Sequence, residues 1–182
     1  VDVRLDGSSA TGSRTALSDW DFDLQLASNL TVNAIADAIR DIDALAVFWD
    51  PLSHRANLIV LLDGPVKIDL IAADRPNPAP IDRWEVTTES LPRLDAHFWD
   101  WTLWLGAKQL RGQTELVRDE IRKLYGALLQ PLGAARATDI RSAIASYPSA
   151  RDARAEELHV VIDKTLQHQV VSALERNGVV AG

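Results

Sequence analysis

Between Ser18 and Gln25 the chain reads SDWDFDLQ, with three carboxylates two residues apart and large apolar side chains between them. Successive side chains of a strand point to opposite faces, and no other regular structure separates such a set as cleanly. The pattern predicts a strand with Asp19, Asp21 and Asp23 on one face and Trp20, Phe22 and Leu24 on the other. Two unit charges about 7 Å apart repel by roughly 2 kcal/mol at an effective dielectric near 20, so the acidic face calls for a cation.

Other segments supply partners for this strand. Val1, Val3 and Leu5 alternate with Asp2, Arg4 and Asp6, which predicts a half-buried strand ending at Gly7. Thr31 is placed to cap a helix from Val32 to about Ile42, with Ile35, Ile39 and Ile42 on one stripe. Leu45 to Trp49 and Ala56 to Leu62 read as apolar strands. Asp63-Gly64 is a hairpin turn signal leading into a strand from Val66 to Ile71, with Pro65 at its start. A loop with Pro76, Pro78 and Pro80 precedes a short predicted strand from Trp84 to Thr87, and Pro92 marks a boundary.

From Leu94 the apolar period becomes helical. Leu94 to Arg111 is apolar nearly all round, as a buried helix is, except for a face carrying His97, Asp100, Trp104, Lys108 and Arg111. A helix from Thr114 to Gln130 carries Val117, Ile121, Leu124 and Leu128 on one stripe, and a third runs from Ala137 to Ser146. Ser149 and Asp152 have the spacing of a capping box for a last helix, whose stripe Leu158, Ile162, Leu166, Val170 and Leu174 ends at Asn177-Gly178. The expectation is an α+β chain, with a sheet domain over residues 1–92 and a helical bundle over 93–182.

With 182 residues and 47% apolar content the chain can bury a full core. No apolar run approaches the roughly 20 residues of a membrane span, no leader pattern opens the chain, and the expected location is the cytoplasm. Absence of cysteine excludes disulfides and thiolate metal sites, and His54, His97, His159 and His168 have no ligand spacing. Absence of methionine suggests a sequence that begins inside a longer chain. Residues 1–89 hold 15 acids against 7 bases, whereas 90–182 hold 11 against 12. Such an acidic first half argues against nonspecific nucleic-acid binding and suits a cationic partner or bound metal.

Two motifs can be set aside. Gly7 and Gly12 have P-loop spacing, but Ser13-Arg14 follows where Lys and Ser or Thr are required. Asp19, Asp21 and Asp23 match the opening ligands of an EF-hand, yet Leu24 replaces the sixth-position Gly and Leu30 the twelfth-position Glu. A solvated acidic strand after a Gly/Ser loop remains the bland reading. Against it stands a composite: Gly7-Ser8 leaving a strand, a hydroxyl-rich loop, Ser18-Asp19-Trp20-Asp21, and Asp69 within the apolar strand Val66-Lys67-Ile68-Asp69-Leu70-Ile71.

Over roughly residues 1–73 this composite resembles the signature of the DNA polymerase β-like nucleotidyltransferase superfamily, and the form GSSATG-x5-SDWD is similar to its small bacterial branch. That branch often carries Arg where this chain has Thr11, and Arg14 stands nearby. The resemblance implies a nucleotidyltransferase-type mixed sheet with flanking helices, and a further helix before the first strand. It implies that Gly7 and Ser8 hold a nucleoside triphosphate, ATP or another, with backbone N–H groups facing the phosphates. Asp19, Asp21 and Asp69 would bind two Mg2+ ions and carry catalysis. Asp21 and Asp23 form a second possible pair, but Ser18 before Asp19 fits the family form better. Asp69 also has a plainer reading, as a charge paired with Lys67 on its own face.

The bundle following such a domain, the Lys67-Ile68-Asp69-Leu70 strand and the Phe98-Trp99 helix are similar to the aminoglycoside 6-adenylyltransferase (streptomycin adenylyltransferase) group. This implies AMP transfer from ATP to a hydroxyl of a small-molecule acceptor, for which a polycationic aminoglycoside suits the acidic first half. Phe98, Trp99 and Trp101 read as core, while Trp104 falls on the polar face and could stack on a base or sugar. Glu85, Glu89 and Asp100 are candidates for the base, each alone reading as a surface charge. Two further readings stay open: a toxin–antitoxin nucleotidyltransferase modifying a protein partner, and a noncatalytic nucleotide-binding domain.

Overall fold

The computed structural model describes residues 1–180. It divides into two compact units, one of Val1–Arg14 with Ser18–Ile81, the other of Thr15–Leu17 with the chain from Asp82 onward. The first holds the sheet and the second most of the helices, so the chain is α+β. Among the described residues no helix is long and apolar enough to cross a membrane.

In the first unit, strands β1 (Asp2–Asp6), β2 (Trp20–Gln25), β3 (Ala46–Trp49), β4 (Arg55–Leu62) and β5 (Val66–Pro76) form one sheet in the order β1-β2-β5-β4-β3. β2 and β5 pair in parallel, and the other neighbours are antiparallel. A parallel pair needs a long crossover, supplied here by helix α2 (Asn33–Ala38), β3 and β4. The β4–β5 hairpin turns at Asp63-Gly64 as expected, with Gly64 at φ +114 where an L side chain would be strained. Leu24, Leu26, Ile35, Ala56, Leu58 and Ala72 make the core of this unit, with Phe22, Trp49 and Leu70 packed against it. By strand alternation the opposite face of the same strands carries Asp21, Asp69 and Ile59 in one row.

Several expectations are corrected here. β1 is not half-buried: Val1, Val3 and Leu5 are 68%, 56% and 37% exposed. It is the sheet's edge, and the core under α2 draws on β2, β3, β4 and β5 only. α2 is shorter than its Ile stripe suggested, starting after Val32 without a Thr31 side-chain cap and ending at Ala38. Ile35 and Ile39 reach the core cluster and Ile42 does not, so nothing apolar favours another turn.

In the second unit, α3 (Leu91–Leu110) is preceded by a reciprocal pair: Thr87 N–H donates to Ser90 Oγ (2.8 Å) and Ser90 N–H to Thr87 Oγ1 (3.2 Å). Pro92 stands in the first turn, where its missing N–H has no helical partner to lose, so it opens the helix instead of marking a boundary before it. The predicted strand at Trp84 to Thr87 does not form. Trp84 instead donates its backbone N–H to the Ala127 carbonyl (2.9 Å) and its ring N–H to His97 Nδ1 (3.0 Å), and is buried.

Ala127 explains a local irregularity. Helix α4 (Thr114–Leu124) passes into a π-turn at Tyr125–Leu129 before α5 (Gln130–Leu132). The residue four beyond Ala127 is Pro131, which has no N–H to give its carbonyl, and Trp84 fills that vacancy. Val117, Ile121, Leu124 and Leu128 are buried as the stripe predicted.

The last two predicted helices are redrawn. α6 (Ile140–Leu158) starts at a capping box of Asp139 and Ser142 and runs through Pro148 without a break. Ser149 therefore caps nothing; its hydroxyl donates back to the Ser146 carbonyl (3.3 Å). The helix stops at His159, which takes the left-handed conformation at φ +54, while Val160 N–H closes back onto the Ala155 carbonyl (2.9 Å). α7 (Thr165–Arg176) follows, with Thr165 N–H and hydroxyl both donating to Asp163 Oδ1. Leu158 and Ile162 thus fall outside α7, whose buried stripe is Leu166, Val170 and Leu174.

A buried ionic network accounts for the unbroken α6. Asp95 Oδ1 accepts from Arg151 Nη1 (2.9 Å), Tyr147 OH (2.9 Å) and Trp99 Nε1 (3.2 Å), and Arg151 Nη1 also donates to Gln167 Oε1 (2.7 Å). These bonds tie α3, α6 and α7 together on either side of Pro148, where the proline forfeits one backbone hydrogen bond of α6. Burial raises the Asp95 carboxyl above its ordinary value despite the donors around it. A raised carboxyl makes the folded state hold its proton longer than the unfolded chain, so this group's contribution falls as pH rises from the ordinary carboxylate value to the raised one. Arg151→Leu leaves Asp95 buried without its cation and is expected to cost about 3–5 kcal/mol at pH 7 in urea unfolding. Because protonating Asp95 removes the stranded charge, that deficit should shrink toward pH 4.

Candidate functional site

β2 and β5 set the site. Their parallel register places Asp21 directly opposite Asp69, so both side chains leave the same face of adjacent strands, which lie about 4.8 Å apart. Asp19 stands just before β2, two residues back and on the same side. Ligand oxygens of Asp19, Asp21 and Asp69 all lie within 4.8 Å of one another, and Asp19 and Asp69 are buried. At that separation each pair of charges repels by about 3 kcal/mol at an effective dielectric near 20.

Asp23 is not part of the group. It lies opposite Arg4 in the β1–β2 ladder and forms an exposed ion pair with it (2.7 Å). Of the two candidate aspartate pairs, the one that converges with Asp69 is therefore Asp19 and Asp21.

The loop after β1 closes tightly over Asp21. Gly7 begins the short helix α1 (Gly7–Thr11) at φ +66, and a Cβ built there would lie 1.9 Å from Asp21 Oδ2. Both the backbone angle and the contact demand glycine. Ser9 Oγ donates to the Asp19 carbonyl (3.1 Å), and Ser13 N–H to the Ser8 carbonyl (3.1 Å) after Gly12 turns in the left-handed region. The Ser8 hydroxyl is buried and meets no hydrogen-bonding atom of the protein. Such a group is expensive to leave unmatched, and a ligand oxygen or water would satisfy it. Thr11 Oγ1 bonds back to the Gly7 carbonyl (3.2 Å), and Arg14 stacks on Trp20 at 3.9 Å.

Behind the triad lies a second layer that the motif does not contain. Asn57 Nδ2 donates to Asp69 Oδ1 (3.0 Å), and Lys67 Nζ lies 3.4 Å from Asp69 Oδ2. The plainer reading of Asp69, as the partner of Lys67, thus holds together with its convergence on Asp19 and Asp21. Asp50 belongs to the same electrostatic neighbourhood: burial raises its carboxyl, the Leu52 N–H and Lys67 pull it down, and Asp69 pushes it up. Asn57 had no signal in the sequence, since it interrupts an apolar run whose register was not known. Hairpin pairing of β4 with β5 would have placed it diagonally from Asp69.

The remaining candidates lie in the helical unit. Glu85 and Glu89 are exposed, whereas Asp100 is buried within α3. Trp104 is half-buried with the Lys108 ammonium 4.6 Å from its ring centre. His97, expected on a polar face, is buried, accepts from Trp84 and stacks on Trp101. Phe98 and Trp99 are fully buried core, as expected.

No family model, curated protein or solved structure matches the chain.

The donor set suits a hard divalent cation: three carboxylates, no sulfur and no imidazole. Around an octahedral Mg2+ adjacent ligands stand about 3.0 Å apart and opposite ones about 4.2 Å, so the three oxygens, all within 4.8 Å of one another, would draw in to share one ion. Gly7→Ala should test how rigid this loop is. The added Cβ must displace Asp21 and hold a left-handed angle, a combined cost of about 2–4 kcal/mol in equilibrium unfolding. Mn2+ affinity, measured by calorimetry, should fall with it.

Proposed function

We propose that the chain is a Mg2+-dependent nucleotidyltransferase of the DNA polymerase β-like type, transferring AMP from ATP to a hydroxyl of a small, aminoglycoside-like molecule. The observation that carries this reading is the convergence of Asp19, Asp21 and Asp69 within 4.8 Å, fixed by the Asp21–Asp69 register. A mixed sheet and a Gly7-Ser8 turn leaving β1 support this reading. Gly7 packed on Asp21 and the buried Ser8 hydroxyl give that turn a role beside the carboxylates.

In this reading Asp19, Asp21 and Asp69 hold the metal. When bound, Mg2+ neutralises charge on the phosphates during in-line displacement at the α-phosphorus. The acceptor oxygen forms its bond to that phosphorus as the bond to the pyrophosphate oxygen breaks, and the hydroxyl proton is released. Gly7 keeps the backbone close to Asp21, and Ser8 offers a hydroxyl and N–H toward the triphosphate. Asn57 and Lys67 hold the Asp69 carboxylate in place. An acidic first half attracts a polycationic acceptor, most strongly at low salt.

Incubation with labelled ATP, Mg2+ and a panel of aminoglycosides is expected to yield labelled product from at least one acceptor. No product from any of them would defeat the acceptor claim. Asp19→Asn, Asp21→Asn and Asp69→Asn should each lower turnover by about a hundredfold or more, because each removes a metal-binding charge. Asp23→Asn, which breaks only an exposed pair, should stay within about threefold. Undiminished turnover in Asp69→Asn would overturn the metal assignment.

A further inference from the structure

Three carboxylates contribute a formal charge of minus three, yet a basic side chain is buried against one of them. Lys67 sits two residues before Asp69 on the same face of β5, next to Ile68, the partner of Trp20 in the β2–β5 ladder, and its Nζ lies 3.4 Å from Asp69 Oδ2. Its side chain is 8% exposed and that of Asp69 5%, so the pair is shielded from solvent. Each Asp69 oxygen has a partner, Oδ1 from Asn57 and Oδ2 from Lys67. A lysine ammonium is a compact point charge, and one tethered to β5 cannot leave as a solvent ion can.

We propose that Lys67 is a positioning residue that acts as the resident counter-ion of the Asp19–Asp21–Asp69 triad, limiting the nucleotide-free site to one divalent ion. The inference rests on the metal reading above. With Lys67 in place the formal charge of the triad falls from minus three to minus two, which one divalent ion balances. A second ion would have to approach Asp69 against the ammonium, beside an Asp50 carboxyl that burial already biases toward its neutral form.

Calorimetric titration of the nucleotide-free protein with Mn2+ tests this. Wild type should take one ion per chain. Lys67→Met should bind its first ion about tenfold tighter or more, or take a second, and Lys67→Arg, which keeps the charge, should stay at one. If the Met variant does not fold, Lys67→Gln is read in the same way, since it keeps a donor to Asp69 without the charge. In thermal melting, the neutral variant should melt below wild type without divalent ions and gain more from added Mg2+ than wild type does. Two ions on wild type, or a neutral variant that binds with unchanged stoichiometry and affinity, would overturn the role of Lys67 while leaving the metal site standing. No binding to wild type or to any variant would overturn both.

Discussion

Everything near the candidate site depends on one pairing, the parallel contact between β2 and β5. Had β5 entered the sheet one residue out of step, Lys67 and Asp69 would have turned to the face packed by Leu24, Leu58 and Ala72. The same register that lays Leu70 and Phe22 into the core therefore brings Asp69 beside Asp21. Core packing and the carboxylate cluster are two consequences of a single alignment, and neither can be altered without the other.

That alignment concentrates like charge, and the structure offsets it only in part. Asn57 and Lys67 serve Asp69, Arg4 takes Asp23 out to solvent, and burial keeps the Asp50 carboxyl raised beside them. The Gly7 turn adds a constraint of shape, because Asp21 Oδ2 occupies the volume that any side chain there would need. A loop that merely linked two strands would have no reason to be pressed so closely onto a carboxylate.

The strands and the site were legible in the sequence because their signals are local. Period-two alternation placed β2, Asp63-Gly64 placed the β4–β5 hairpin, and the resemblance of the pattern to a known signature pointed to Asp19, Asp21 and Asp69, whose oxygens converge. What the sequence did not reveal depends on contacts distant in the chain. The alternation of β1 reads as half-buried, but burial requires a covering layer, and α2 does not reach the edge. Ser149 and Asp152 read as the start of a last helix, but Asp95, more than fifty residues away, bonds Tyr147 and Arg151 on one continuous helix. Trp84 reads as part of a strand until Pro131 leaves the Ala127 carbonyl in need of its N–H.

Two buried acidic centres, around Asp95 and around Asp69, differ in how their charge is matched. In the helical unit Asp95 accepts from one guanidinium and two neutral donors, all at Oδ1, and Arg151 is shared with Asp152, which Lys164 also meets, so two carboxylates stand against two cations. In the sheet unit three carboxylates bring oxygens within 4.8 Å of one another, one ammonium stands beside Asp69, and the Ser8 hydroxyl is buried without a hydrogen-bond partner among the described residues. Charge left over in a shielded site is costly unless something from outside balances it. The imbalance itself separates a centre whose charge is matched within the chain from one whose carboxylates outnumber the cation beside them.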